Sequence, residues 1–234
     1  MYHSITFGNK NTWDDWGLIP TSRPVFPPPQ TKEKIIDIPG ADGTLDISTV
    51  LTGGVPVYAN RTGTFEFIVE NNSLSIDDLT HEIMTFLHGR TMRVYLEDDP
   101  EYYYEGRFKI SGWSVSEIAP MISIEYNVAP YKIERYGSDE EWEWDPFDFE
   151  TGIIKVYSNL IVSGTLVAQV VGESIQYSLS FVSSAPMTMA YKGHTYNLVT
   201  GKNVFSELII SPGESSITFT GNGTITIDYK GGSL

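Results

Sequence analysis

Short segments in which apolar and polar residues alternate are the strongest constraint on the fold of this chain. They occur at residues 64–69, 122–128 and 216–230. Because successive side chains of a β-strand point to opposite faces, this alternation is typical of strands with one buried face. Clusters of Gly, Pro, Ser and Asn separate such segments, as turns do in all-β proteins. The chain of 234 residues is therefore predicted to be mainly β, with one large domain or two smaller ones.

One stretch departs from this pattern and predicts a helix. Ser75 is a suitable N-cap, and Gly89 suits a left-handed helix exit. Between them, apolar residues recur at spacings of three and four along one stripe, namely Ile76, Leu79, Ile83, Phe86 and Leu87. We therefore expect the first domain to be a β-sandwich with one packed helix. This domain is expected to end near Tyr136.

A proline-rich segment leads into a predicted β-hairpin. The prolines of residues 20–29 prevent regular sheet hydrogen bonding, so this segment is expected to run extended as a stiff connector, with an SH3-domain ligand as the alternative. Strands are then predicted at residues 34–38 and 45–51. Asp42-Gly43 lies at the tip, a dipeptide that tight hairpin turns favour. An ordinary surface turn explains the same pattern.

The charge of the chain is unevenly distributed. The net charge is -15, from 30 acidic and 15 basic residues, yet residues 151–234 are neutral because they hold four acids and four bases. The run 139–150 holds seven acids and no base. This asymmetry predicts two units. With the pattern of short strands, we expect a first domain at residues 1–136, an acidic aromatic connector at 137–152 and an all-β module at 153–234. Within the last segment, a hairpin is predicted at 216–230 with its turn at Gly221-Asn222-Gly223.

The sequence lacks the motifs of the common catalytic and metal sites. The absence of cysteine excludes thiolate nucleophiles, thiolate metal ligands and disulfides. Neither a two-histidine zinc motif, a phosphate-binding loop nor a Gly-x-Ser-x-Gly motif occurs. We therefore expect no enzymatic activity, cofactor or metal. The negative charge disfavours nucleic-acid binding, and no apolar run is long enough to span a membrane.

Aromatic residues offer one possible ligand site. Flat aromatic rings can cover the apolar faces of sugars, and core or interface packing is the alternative use of such rings. The candidates for sugar contact are Tyr103, Trp142 and Trp144. Tyr102 and Tyr104 alternate in step with Phe108, which favours packing.

Several short motifs follow one another in a fixed order along the chain. They are Ile5-Thr6-Phe7-Gly8, Ile38-Pro39-Gly40-Ala41-Asp42-Gly43, Asn60-Arg61-Thr62, Leu87-His88-Gly89-Arg90, Tyr95-Leu96-Glu97-Asp98-Asp99-Pro100, Tyr102-Tyr103-Tyr104-Glu105-Gly106-Arg107-Phe108 and residues 225–234. Together, and over nearly the whole chain, they resemble the distal tail proteins of long-tailed phages and prophages of Gram-positive bacteria.

The resemblance implies a structural protein of the virion. It implies an N-terminal β-sandwich that assembles into a hexameric ring, with stacked rings possible, and a galectin-like C-terminal β-sandwich. The ring would join the tail-tube protein to the tail-tip protein, and DNA would pass through its lumen without specific binding. The start of the sequence does not resemble a signal peptide, so synthesis and assembly are expected in the host cytoplasm.

Two functional hypotheses follow. In the first, the protein is the hub ring of a phage tail, and the hairpin reaches the adjacent subunit through Ile36, Ile38, Leu45 and Ile47. In the second, the protein is a glycan-binding tail module that contacts the host cell wall. Oligomeric state separates them, because a hub requires a ring and a lectin does not.

Overall fold

The computed structural model describes residues 2–40, 42–70, 74–116, 119–138 and 157–234. It confirms the mainly β fold class, with one α-helix in the described residues. The chain divides into two compact units. The first contains Met1–Asp99, Tyr103–Pro130 and Leu234, and the second contains Pro100–Tyr102 and Tyr131–Ser233.

Antiparallel strands form the first unit. They are β1 (Ile5–Phe7), β2 (Lys10–Asn11), β3 (Leu18–Pro20), β4 (Ile35–Asp37), β5 (Thr44–Asp46), β6 (Arg61–Val69), β7 (Thr91–Leu96), β8 (Asp99–Ser114, which includes Pro100–Tyr102 of the second unit) and β9 (Met121–Val128). The main sheet has the order β2-β1-β7-β8-β9-β6-β3, and β4 pairs with β5 apart from it.

The alternation read from the sequence is the burial pattern of these strands. In β6, Phe65 and Phe67 are buried while Thr64 and Glu66 are exposed. In β9, the side chains of Ile122, Ile124, Tyr126 and Val128 are all buried. These residues share one core with β1 and β7. The sheet therefore buries one face, as period-two alternation predicts.

The single helix of the described residues, α1 (Ile76–Leu87), begins and ends as predicted. The Ser75 hydroxyl accepts a hydrogen bond from the Asp78 backbone N–H at 3.2 Å, which satisfies one free donor of the first turn. Leu79, Ile83 and Leu87 are fully buried in the core of the first unit. The helix ends before Gly89, which has a φ of 75°.

The second unit has its own core and its own strands. The strands are β10 (Lys132–Glu134), β11 (Leu160–Gly172), β12 (Ile175–Ser183), β13 (Met187–Tyr191), β14 (His194–Leu198), β15 (Gly201–Asn203) and β16 (Gly213–Ser233). β16 is central, because β11 and β10 pair with it along one edge and β13 and β12 along the other. Its apolar residues Ile217, Phe219, Ile225, Ile227 and Tyr229 are fully buried.

The boundary between the units differs from the predicted position. The first domain was expected to end near Tyr136, whereas the first unit ends at Pro130. Lys132 and Ile133 pair with Ser233 and Gly232 of β16, so this short strand belongs to the second unit. Of the predicted connector at 137–152, all but the first two residues lie outside the described residues.

The hairpin predicted at 216–230 is wrong, because β16 continues without a turn from Gly213 to Ser233. Gly221 and Gly223 have φ values of 152° and 148°, an extended backbone that favours glycine. A Cβ on Gly221 would lie 2.6 Å from the Cβ of Met187, and one on Gly223 would lie 2.6 Å from Ser184 Oγ. The two glycines therefore allow Ser184, which follows β12, and Met187, which begins β13, to approach β16 closely.

We expect Gly221→Ala to destabilise the second unit by about 2 kcal/mol, because the new methyl group meets Met187 and the backbone resists a positive φ. Urea unfolding measures the loss. Gly112→Ala is the control, since no atom lies within 4 Å of the added Cβ, and its effect should stay within about 0.5 kcal/mol. Equal stability of the two variants would contradict this role of Gly221.

Candidate assembly surface

The predicted hairpin is the tip of a longer projection, residues 30–59, which we call the arm. β4 and β5 pair in the register Ile35 with Asp46, Ile36 with Leu45 and Asp37 with Thr44. The second strand ends at Asp46 and does not reach Leu51 as predicted. The Ser48 backbone N–H donates to the Asp46 carboxylate at 2.8 Å, and a 3-10 helix follows at Val50–Thr52. This aspartate turn ends the strand.

Backbone hydrogen bonds close the base of the arm. The Lys32 N–H donates to the Val57 carbonyl and the Ala59 N–H donates to the Gln30 carbonyl, each at 2.7 Å. Thr31 forms an isolated antiparallel bridge with Tyr58 between these bonds. The two ends of the arm are therefore held side by side, and the arm leaves the first unit as a two-stranded projection.

Phe26 anchors the proline-rich segment that leads into the arm. Its side chain is only 4% exposed and packs on the rings of Phe65, Tyr104 and Tyr126, with centroid distances of 5.2, 4.1 and 4.8 Å. Aromatic rings packed in this way stabilise a fold by more than the burial of their apolar area alone. The segment predicted as a stiff connector is thus also part of the core, which the sequence reasoning missed.

Arg61 holds the same segment from the other end of the arm. Its guanidinium is buried, with Nε donating to the Pro130 carbonyl at 2.8 Å. Nη1 donates to the carbonyls of Phe26 and Pro27, each at 3.2 Å. Since prolines lack an N–H, the segment has few partners for regular pairing, and the arginine supplies donors to its carbonyls. Nη2 is buried without a hydrogen-bond partner in the described part of the chain.

The charge of Arg61 is placed against aromatic rings. Its guanidinium carbon lies 5.4 Å from the centroid of the Tyr104 ring, within the range of a cation–π interaction. Burial lowers the pKa of the Arg61 guanidinium, and the neighbouring Tyr104 and Tyr126 partly raise it. Burial raises the pKa of both phenols, and the Arg61 charge partly lowers it. Arg61 remains a cation at neutral pH, because its ordinary pKa lies far above that range.

The arm exposes apolar side chains and contributes nothing to the core. None of its described residues is buried. Seven of its large apolar residues are exposed, from 39% for Ile36 to 99% for Leu51. They are Ile35, Ile36, Ile38, Leu45, Val50, Leu51 and Val55. Large apolar side chains exposed in this number on one projection indicate an interaction site in soluble proteins.

The four predicted contact residues lie on the arm as expected from their positions. Ile36 and Leu45 are direct cross-strand partners, so their side chains lie on one face of the hairpin. Ile38 follows Ile36 by two residues and Ile47 follows Leu45 by two, which gives them the same parity. Ile38 is 43% exposed, whereas Ile47 is half-buried. That these residues contact another subunit stays a prediction.

Sequence reasoning missed part of this apolar surface. Val50, Leu51 and Val55 lie beyond the hairpin and are 63% exposed or more. They have no strand or helix periodicity, so no pattern separated them from core residues. The signal that could have found them is their position around Gly53-Gly54, a turn-forming pair that rarely lies inside a core element.

Of the aromatic residues proposed for sugar contact, Tyr103 is the one that lies in the described structure. Tyr103 is only 1% exposed, and its ring lies under the Arg93 guanidinium at 4.7 Å and beside the Tyr95 ring. Its burial leaves no free ring face for a sugar, so the alternative use in packing accounts for Tyr103. Trp142 and Trp144 lie outside the described residues.

A groove in the second unit combines an aromatic ring with charged groups. It has a volume of about 340 Å³ and is lined by parts of β12, β15 and β16 and by residues 204–206. The Asp228 carboxylate accepts a hydrogen bond from Ser180 at 3.0 Å and lies 3.8 Å from Lys202 Nζ. Tyr177 is 48% exposed at an irregularity of β12, where the pairing register shifts between Gln176 and Ser178.

The described residues contain no group of three or more His, Asp or Glu side chains placed to bind a metal ion. Among the same residues, no helix combines the length and apolar character that a membrane span needs.

The chain is similar in fold to proteins of known structure. No protein-family model and no curated protein sequence matches the chain. Among solved structures, the chain is similar to the crystal structure of SPP1 Dit (gp 19.1), described as a paradigm of the hub adsorption apparatus in phages that infect Gram-positive bacteria. The TM-score is 0.62, and the match covers 99% of both chains.

The chain has the Dit fold. The similarity extends over both units, and the sequence identity is 13%. The resemblance to phage distal tail proteins inferred from short motifs is thus confirmed at the level of the fold. At this identity, the shared fold does not by itself carry function over to this chain.

Proposed function

We propose that this protein is a structural hub of a phage tail, in which six copies form a ring through their arms. The observation that carries the proposal is the arm, which projects from a Dit fold and exposes seven large apolar residues without contributing to the core. Burying such residues in a neighbouring copy gains about 25 cal/mol for each Å² removed from water. The contact residues are Ile36, Ile38, Leu45 and Ile47, joined by Val50, Leu51 and Val55.

The ring joins the tail-tube protein to the tail-tip protein at the end of the virion tail. The Dit fold supports this place, since the similar SPP1 protein is described as a hub. The net charge of -15 suits a channel for DNA, because a negative wall repels phosphates and lets the genome slide. In this role the protein needs neither catalysis nor a cofactor.

Reconstitution tests the hub role. The purified ring is mixed with the tail-tube and tail-tip proteins of the same virus, separately and together, and complexes are separated by size exclusion. A hub yields a complex that contains all three proteins. A ring that binds neither partner would contradict the hub role while leaving the ring itself intact.

Saccharide binding is the second candidate function, and the groove of the second unit favours it. An exposed aromatic ring, a carboxylate and an ammonium group surround it, a combination that can stack on a sugar and hydrogen-bond its hydroxyls. A glycan array tests this candidate. Binding that Tyr177→Ala abolishes and Val199→Ala preserves would support it, because Val199 is exposed but does not line the groove. An array without binding would contradict it.

A further inference from the structure

β11 has an unusual free edge. The strand pairs with β16 over its whole length, from Leu160 opposite Ile225 to Gly172 opposite Gly213, and no other described strand pairs with it. The Val171 N–H donates to the Tyr157 hydroxyl at 3.0 Å and so points away from β16. Because backbone groups alternate in direction along an antiparallel strand, the other odd-numbered residues also direct their N–H and C=O groups to the free edge.

The chemistry of this edge permits further pairing. Residues 160–172 contain no charged residue and no proline. Natural proteins usually protect edge strands with lysines, prolines or short length, because an exposed edge is a template for another strand. β11 has 13 residues, and its side chains Ile161 and Val167 are 75% and 54% exposed. β11 therefore lacks the charged residues, prolines and short length that usually protect an edge strand.

We propose that β11 pairs in antiparallel fashion with β11 of a second copy of this chain. The charge of the strand itself permits a second copy here, because residues 160–172 contain no charged side chain and two copies bring no like charges together along this edge. A two-fold axis through one residue of β11 places odd residues opposite odd residues, so the exposed faces of both strands coincide.

This pairing is independent of the proposed ring, and the test keeps the two apart. It uses the intact chain with Ile38→Asp and Leu45→Asp, which is expected to lack the ring. Sedimentation of this variant at several concentrations should reveal a dimer. Adding Val167→Lys should raise the dissociation constant of the dimer at least about tenfold, because the two strands then carry like charges on the same face of the paired sheet.

Val182→Lys is the matched control. Val182 is also an exposed valine, at 43%, but its strand is paired with β15 and β16 on both sides. This variant should dimerise like its parent. A parent that stays monomeric at every concentration, or equal weakening by the two lysines, would overturn the pairing of β11. If the parent variant still formed a ring, this result would instead contradict the proposed role of the arm in ring assembly.

The absence of native cysteine allows a direct check. Thr165 and Val167 are exposed near the middle of β11, and Thr165→Cys or Val167→Cys should form a disulfide-linked dimer on mild oxidation. Val182→Cys should not. Cross-linking of none of the β11 variants, or of Val182→Cys to the same extent, would overturn the proposal.

Discussion

Replacing Ile38 and Leu45 together with aspartate is expected to abolish the ring and to leave the subunit folded. Both side chains are exposed, at 43% and 48%, and neither belongs to a core cluster. The substitutions therefore cost the isolated subunit little. In the assembled ring, each aspartate lies in an apolar contact, where burying an unpaired carboxylate costs several kcal/mol. Every interface of a ring carries this cost, so the loss of assembly should be complete.

Two matched variants sharpen this experiment. Ile38→Val with Leu45→Met retains apolar contact and should preserve the ring. Val25→Asp with Val115→Asp adds the same charge to the first unit at exposed residues outside the arm, at 60% and 72% exposure, and should also preserve it. Light scattering and negative-stain imaging report assembly, and circular dichroism reports folding. A ring that persists in the arm variant would show that the arm is not the contact.

Replacing Arg61 with methionine is expected to destabilise the first unit by about 3 kcal/mol, the largest effect we expect from one substitution. Methionine retains much of the apolar stem but removes the donors to the Phe26, Pro27 and Pro130 carbonyls. It also removes the charge above the Tyr104 ring. Arg61→Lys keeps that charge but lacks the planar guanidinium with its several N–H donors. It should therefore destabilise the first unit by about half as much as Arg61→Met.

Urea unfolding followed by tryptophan fluorescence measures the effect of these substitutions. Arg107→Met is the control, since Arg107 is exposed and its Nη1 donates a hydrogen bond to the Gly89 carbonyl at 2.9 Å. Arg107→Met should lower the free energy of unfolding by no more than about 0.5 kcal/mol. Because Arg61 fixes the segment at the base of the arm, Arg61→Met should also weaken ring assembly. Equal stability of the Arg61 and Arg107 variants would contradict the anchoring role.

The parts of the fold that depend on neighbouring residues could be predicted from the sequence. α1 was found because its cap at Ser75 and its apolar stripe are both local signals. The strands of the first unit were found because each buries one face, which leaves a period of two in the sequence. The tip of the arm was found for the same reason, from Asp42-Gly43 between two short strands.

The parts that depend on distant residues could not be predicted in the same way. Gly221 and Gly223 resemble a turn locally, but glycine is needed there because Ser184 and Met187, which are distant in the sequence, pack closely against them. Phe26 lies among prolines, and nothing nearby in the sequence indicates that its ring packs with Phe65. The same holds for the candidate assembly surface. Its hairpin could be predicted from neighbouring residues, whereas the hydrogen bonds from Arg61 that hold the proline-rich segment could not.

The mass of the unmodified protein in solution tests the central claim most directly. A six-membered ring has six times the 26.2 kDa of one chain, and sedimentation or light scattering distinguishes this mass from that of a monomer or a dimer. We predict that mass, or its double if rings pair through β11, together with rings in negative-stain images. A protein that remains monomeric or dimeric at every concentration, alone and with its tail-tube partner, would contradict the hub ring.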